Sequence, residues 1–261
     1  SDAYELGLRN GEVVEKINNN AVQYLDQRTV DSLLTGSLGS IVKLKIKRGN
    51  RSVVADVVRD QQLNYDVEPY LTDERILVLK IKAFQQDTVQ QIQHFLNIYQ
   101  QRTAIRGVMI DLRDNPGGLL SSAVELADLF LEKGLIVSTK GRIEANQQFQ
   151  ALASQNPVTY PVAILQNRFS ASAAEVFAAA LKENQRATII GETSYGKGAV
   201  QKLFPLQHGA VQLTVYHYFT PNGQMIEGKG VEVDRKLNMS DLQTDRQIQD
   251  EASSQFGRMI P

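Results

Sequence analysis

The chain has 261 residues, a length that suits one large domain or two smaller ones. Hydrophobic residues make up 42% and Cys is absent, so a sizeable core is available, whereas wholesale disorder, disulfides, thiolate metal sites and a Cys nucleophile are excluded. The 28 Lys and Arg nearly cancel the 29 Asp and Glu, leaving a net charge of −1, which does not draw a phosphate backbone from a distance; nucleic acid is not expected as a partner.

From the amino terminus, residues 1–62 read as a small β-rich unit. Its first residue is Ser1 rather than Met, which fits a removed leader or anchor, or a fragment. Gly11 to Asn18 reads as a loop running into a strand. Val30, Leu33 and Leu34 mark a short helix that Gly36 ends. Val42, Leu44 and Ile46 alternate with Lys43, Lys45 and Lys47, the period of a half-buried strand. Gly49-Asn50 is a turn and Val53 to Val58 the returning strand.

This ordered set, Ala3…Gly7-Leu8…Asn10-Gly11-Glu12-Val13-Val14…Ile17-Asn18 and Gly36…Gly39…Val42-Lys43-Leu44…Ile46…Arg48, resembles a PDZ domain joined partway through its fold. The strands and the carboxylate-binding loop that open that fold would lie upstream of Ser1. Asn19 and Asn20 stand where the family usually has Gly; Asn tolerates a left-handed backbone, so the turn can survive. The resemblance implies capture of extended peptide ends at a sheet edge.

Residues 63–261 read as α/β. Strands are expected at Ile76 to Leu79, Gly107 to Leu112, Pro161 to Leu165 and Ala187 to Ile190. Helices are expected after the Asp87-Thr88 cap (Val89, Ile92, Phe95, Leu96, Tyr99), from Leu119 to Lys133 with Gly134 as the stop, and from Ser172 to Asn184. Alternation of this kind favours a parallel or mixed sheet covered by helices. Asp241 to Phe256 is polar and reads as a surface helix. No run approaches the length of a membrane span, and His94, His208 and His217 lack metal-ligand spacing, so no metal or cofactor is expected.

Gly191 to Gly198 matches a phosphate-binding loop, G-x-x-x-x-G-K, at seven of eight positions. The eighth should be a magnesium-binding Ser or Thr and is Gly198. Such a loop also opens a helix, whereas Ala199 to Pro205 looks extended. The same lysine has another use. Ser172 and Glu175 fit a capping box, S-x-x-E, at a strand-to-helix turn. A hydroxyl there can point into a cleft, and the first free helix amides can hold an oxyanion. Serine needs a base, and no His stands in a motif. A lysine can serve once it is desolvated, and Lys197 between two glycines is the candidate.

Four motifs in order now carry a resemblance to the carboxyl-terminal processing peptidases, also called tail-specific proteases. They are Asp111 to Gly118, Asn167 to Glu175, Gly191 to Gln201, and Tyr218 to Gly223 with Gly228 to Asp234. The resemblance implies a crotonase-like αββ peptidase core, with helices on a mixed sheet, beside the small PDZ-like domain. It places the nucleophile on Ser172, the base on Lys197, 25 residues later, and an orienting glutamine on Gln201. In an extended segment residues four apart face one side, so Gln201 is expected to bond Lys197. The oxyanion amides would be those of Ala173 and Gly118, with Gly117 the less favoured alternative. Ala174 departs from the family, which often has Ser there.

The function so implied is a serine endopeptidase without metal or nucleotide, cutting proteins near their C-termini while a PDZ domain captures or gates the tail. Its partners would be proteins or peptides with accessible tails; an adaptor protein and a homo-oligomer stay open. Bacterial members are exported to the periplasm or cell envelope, often with a membrane anchor, here in a segment outside this chain. Two rivals remain: a silent scaffold that binds tails without cutting, which the intact Ser172, Lys197 and Gln201 oppose, and a nucleotide-binding enzyme, which Gly198 opposes.

Overall fold

A computed structural model describes residues 12–37, 40–48, 51–59, 66–141, 146–152, 157–240, 242 and 244–260. The Ala3, Gly7, Leu8, Asn10, Gly11 and Gly39 positions and the Gly49-Asn50 turn lie outside them. The chain forms two compact units, Ser1–Asn64 and Tyr65–Pro261.

The first unit holds β1 (Val13–Ile17), β2 (Asn20–Ala21), a 3-10 turn at Val22–Tyr24, α1 (Gln27–Leu34), β3 (Ile41–Arg48) and β4 (Arg51–Val58). Its antiparallel sheet has the order β2-β1-β3-β4. The alternation in β3 does what its period demands: Val42, Leu44 and Ile46 are buried with Ile17, against Val30 and Leu33 of α1. Asp26 caps α1 by accepting from Thr29 N–H at 2.8 Å. The β1–β2 turn uses its left-handed residue at Asn18 (φ 52°), one position before the pair expected to take it, because Ile17 already pairs with Asn20.

The second unit holds β5 (Val67–Leu71), β6 (Ile76–Ile81), α2 (Thr88–Arg102), β7 (Gly107–Asp111), α3 (Leu120–Phe130), β8 (Leu135–Gly141), β9 (Gln147–Gln150), β10 (Val162–Gln166), α4 (Ala173–Glu183), β11 (Ala187–Gly191), β12 (Ala199–Pro205), β13 (Ala210–Phe219), β14 (Arg235–Lys236) and α5 (Asp245–Gly257). A six-stranded sheet runs β14-β11-β10-β7-β6-β5, parallel except for β5. Strands β6, β7 and β10 are near-continuous apolar runs because helices cover both faces. A four-stranded antiparallel sheet, β12-β13-β8-β9, stands apart in pairing. The fold is therefore mixed α/β.

Two helices differ from expectation. Helix α3 stops at Phe130, short of Gly134, because Leu131 turns extended (φ −110°, ψ 136°) on the way into β8. Helix α5 is not a plain surface helix. It buries Gln249, Ala252, Ser253 and Phe256, the last packing with Ile76, Met109 and Leu165 on one face of the sheet.

Candidate active site

Strands β7, β10 and β11 are neighbours and end nearly level: Leu165 pairs with Asp111, and Gln166 with Gly191. The loops leaving their carboxyl ends carry Gly118, Ser172 and Lys197 in turn. Ligand sites of open α/β sheets gather at such an edge.

The β10 loop delivers Ser172 at φ 58°, ψ −118°, a strained conformation for a residue with a Cβ. Of the two serines in Ser-Ala-Ser, Ser170 is buried and its hydroxyl is spent: it donates to Leu112 O at 2.8 Å and accepts from Asn167 N–H at 3.0 Å. Ser172 is half-buried and opens α4. The Asn167 side chain and Asp114 exchange hydrogen bonds of 3.1 and 2.9 Å, joining this loop to the next.

The β7 loop is held by Asn115, which is fully buried. Its Nδ2 donates to Ile81 O and its Oδ1 accepts from Gly117 N–H, both at 2.8 Å; its carbonyl accepts from Ala171 N–H at 2.9 Å. Phe84 pins the tip, its N–H donating to Gly117 O and its carbonyl accepting from Leu119 N–H, each 2.8 Å. A Cβ on Gly117 (φ 106°) would stand 2.8 Å from Ser172 Cβ and 3.0 Å from Ala173 N. That contact puts the glycine pair against the Ser172 turn and explains the missing side chain. The Gly117 N–H is engaged by Asn115. The N–H groups of Gly118 and Ala173 donate to nothing among the described residues. Helices α3 and α4 both begin here, so the partial positive ends of two dipoles converge on the same edge.

Beyond the capping box, nothing in the residue pattern announces what joins Ser172 to Lys197. The fully buried Glu175 carboxylate accepts from four donors. Its Oε1 takes Ser194 Oγ–H and Gly196 N–H, each at 2.6 Å. Its Oε2 takes the N–H of Ser172 and the N–H of Lys197, each at 2.8 Å. One carboxylate oxygen thus ties together the backbones of the two candidate catalytic residues. Glu227 continues the clamp, its Oε2 accepting from Gly198 and Ala199 N–H at 2.7 Å. Tyr218 N–H donates to Gly198 O at 2.8 Å and Gly228 N–H to Gly196 O at 2.9 Å, so the fourth sequence motif braces the lysine loop. Burial pushes the Tyr218 phenol up to about 12.

These clamps remove the phosphate-loop reading. The amides of residues 196–199 already point at two carboxylates, and the chain continues into β12 rather than a helix. The Lys197 side chain itself is exposed, and among the described residues its ammonium makes no hydrogen bond or ion pair. Gln201 makes no hydrogen bond with it among the described residues. The register of the hairpin shifts at Gln201, with Val215 of β13 as the extra residue, and Gln201 Oε1 accepts from Gln212 Nε2 at 2.7 Å across the hairpin. The structure therefore joins the backbones of Ser172 and Lys197 through Glu175 beside the two amides, while among the described residues the lysine amine bonds neither Ser172 nor Gln201.

Residues 75–237 match peptidase family S41. The chain belongs to that family. It is 34% identical over 243 residues to the carboxy-terminal-processing protease of Bartonella bacilliformis, covering 89% of this chain and 55% of that one. It is 30% identical to the carboxy-terminal processing protease CtpA of Bacillus subtilis, covering 92% and 52%. The chain thus spans about half the length of these curated relatives. Among solved structures it is similar to a photosystem II D1 C-terminal processing protease, with TM-score 0.62 and 27% identity over 94% of this chain and 67% of that one. Its fold also matches mature CPAF in complex with lactacystin, at TM-score 0.60 and 13% identity over 97% and 78%.

Proposed function

We propose that the chain is the catalytic part of a serine endopeptidase that cuts proteins near their C-termini. The observation that carries this reading is the shared Glu175 carboxylate, which binds the strained Ser172 turn and the Lys197 loop beside two undonated amides. In the mechanism, Lys197 as a neutral amine takes the Ser172 proton while Oγ attacks the peptide carbonyl. The amides of Gly118 and Ala173 hold the oxyanion. Lys197 then protonates the leaving amine, and water hydrolyses the acyl-enzyme. Gln201 would orient the amine through its Oε1, whose second lone pair is left by the bond from Gln212. The first unit, a sheet with one helix packed on it, is proposed as the PDZ-like tail-binding domain, and the periplasm or cell envelope as the site of action.

The Lys197 ammonium, without a partner among the described residues, and the Gln201–Gln212 bond favour one second reading, a silent scaffold that binds tails. An unfolded protein substrate, incubated with EDTA and read by mass spectrometry, separates the two. Cleavage by the parent and by neither Ser172→Ala nor Lys197→Ala is expected. Equal cleavage by all three would remove the dyad, and silence from a folded parent would favour the scaffold.

A further inference from the structure

Arg113 is among the largest fully buried side chains of the chain, at 2% exposure. It sits at the root of the β7 loop, five positions before Gly118. Its Nε donates to Asp111 Oδ1 at 2.9 Å and its Nη2 to Asp111 Oδ2 at 2.6 Å, a two-point clamp. Burial works against its charge, but the bonds to Asp111 and that carboxylate's charge hold its pKa above the ordinary value.

The rest of the cluster comes from α5, 132 residues along the chain, and from β6. Asp245 Oδ1 accepts from Arg113 Nη1 at 3.3 Å, and its Oδ2 pairs with Lys80 of β6. One helical turn on, Gln249 Nε2 donates to Asp111 Oδ2 at 2.9 Å. Residues four apart share a helix face. Two cations and two carboxylates are closed by an amide at the point where the loop leaves the sheet.

The loop needs such an anchor. Asp114 (φ 61°), Gly117 (φ 106°) and Gly118 (φ 135°) all lie in the left-handed region. Asp114 has a Cβ, and such a conformation persists only where the surroundings over-determine it. Asn115 fixes the middle of the loop and Phe84 its tip, while Arg113 fixes its root.

We propose that α5, through Asp245 and Gln249 acting on Arg113 and Asp111, is a positioning element for the Gly118 amide; this rests on the peptidase reading above. Asp245 and Arg113 touch no reacting atom and act through the loop. Misplacing an oxyanion donor by a fraction of an ångström costs rate in the chemical step rather than substrate binding.

The test uses the whole chain at a temperature where every variant is folded. Asp245→Asn is expected to lower kcat roughly tenfold with KM held within about twofold, and Asp245→Glu to restore most of the loss. A peptide aldehyde, whose adduct with Ser172 places an oxygen on the oxyanion amides, should bind about tenfold more weakly to Asp245→Asn. Amide hydrogen exchange over 112–118 should speed up in that variant while β10 and β11 stay unchanged, a readout that does not need catalysis. Unchanged exchange, or an unchanged kcat per folded molecule, overturns the proposal. Cleavage by Ser172→Ala equal to the parent would instead overturn the peptidase reading, and the exchange measurement would then decide the anchoring alone.

Discussion

Glu175 is the side chain on which the two candidate catalytic residues meet. Its four donors leave no slack: a glutamine there offers one carbonyl oxygen and turns an NH2 toward two N–H groups. Glu175→Gln is expected to destabilise the fold by about 3 kcal/mol, because buried donors lose their acceptor. Cleavage should fall by roughly 10²-fold as the Ser172 and Lys197 backbones part. Thermal denaturation and kcat measured together check this, and activity within a factor of about two of the parent would dismiss the shared carboxylate as mere capping. Gly118 makes a second demand at this scale. A Cβ there would lie 2.2 Å from Phe84 O, on a backbone at φ 135°. Gly118→Ala should therefore cost on the order of 3 kcal/mol of stability and most of the activity, even though alanine keeps the amide.

At the scale of the element, the legible parts were those whose pattern depends on one face. The Lys-interleaved β3, the apolar β7 and β10 and the stripe of α2 follow from burial against a single neighbour or two covering layers. What the sequence hid is set by pairing rather than by pattern. Strand β13 does alternate, Val211, Leu213 and Val215 against Gln212 and Thr214, but Ala210–Thr214 is exposed, so its place follows from its pairing with β12 and β8 rather than from a buried face. The bulge at Val215 of β13 has no residue signature, and neither has the bond by which Gln212 holds the Gln201 amide across the hairpin. Helix α5 looked solvated because the residues that dock it include Gln249 and Asp245, polar groups with buried partners. The Lys80 hydrogen bond and the charge of Arg113 hold the Asp245 carboxyl below its usual range. A carboxylate depressed in the folded state contributes stability above its unfolded value, near ~3.9, and that stability is lost as pH falls through the lower folded value. The parent should thus lose melting temperature more steeply than Asp245→Asn between about pH 5 and about pH 2, and parallel curves would show that α5 docks without this ion pair.

At the scale of the whole molecule, the sheet sets the geometry and the loops set the chemistry. Because β7, β10 and β11 end level, three loops far apart in sequence emerge side by side, and the two helix amino termini add electrostatic support that the net charge of −1 does not supply. The proposed base is the part this scaffold leaves least fixed, since among the described residues only the Lys197 backbone is bound. A lysine works as a base only in its neutral form, and lysine in water titrates near ~10.4. The form that promotes the reaction is the deprotonated one, so kcat/KM should climb as pH rises from neutral into the alkaline range. A His-dependent enzyme would instead level off not far above a pH of about 6.5. The climb should vanish in Lys197→Ala, whose residual rate is flat with pH, and EDTA should change neither profile. A parent whose rate is already level at neutral pH, or a Lys197→Ala variant that keeps the climb, would take the base away from Lys197 while leaving Ser172 in place.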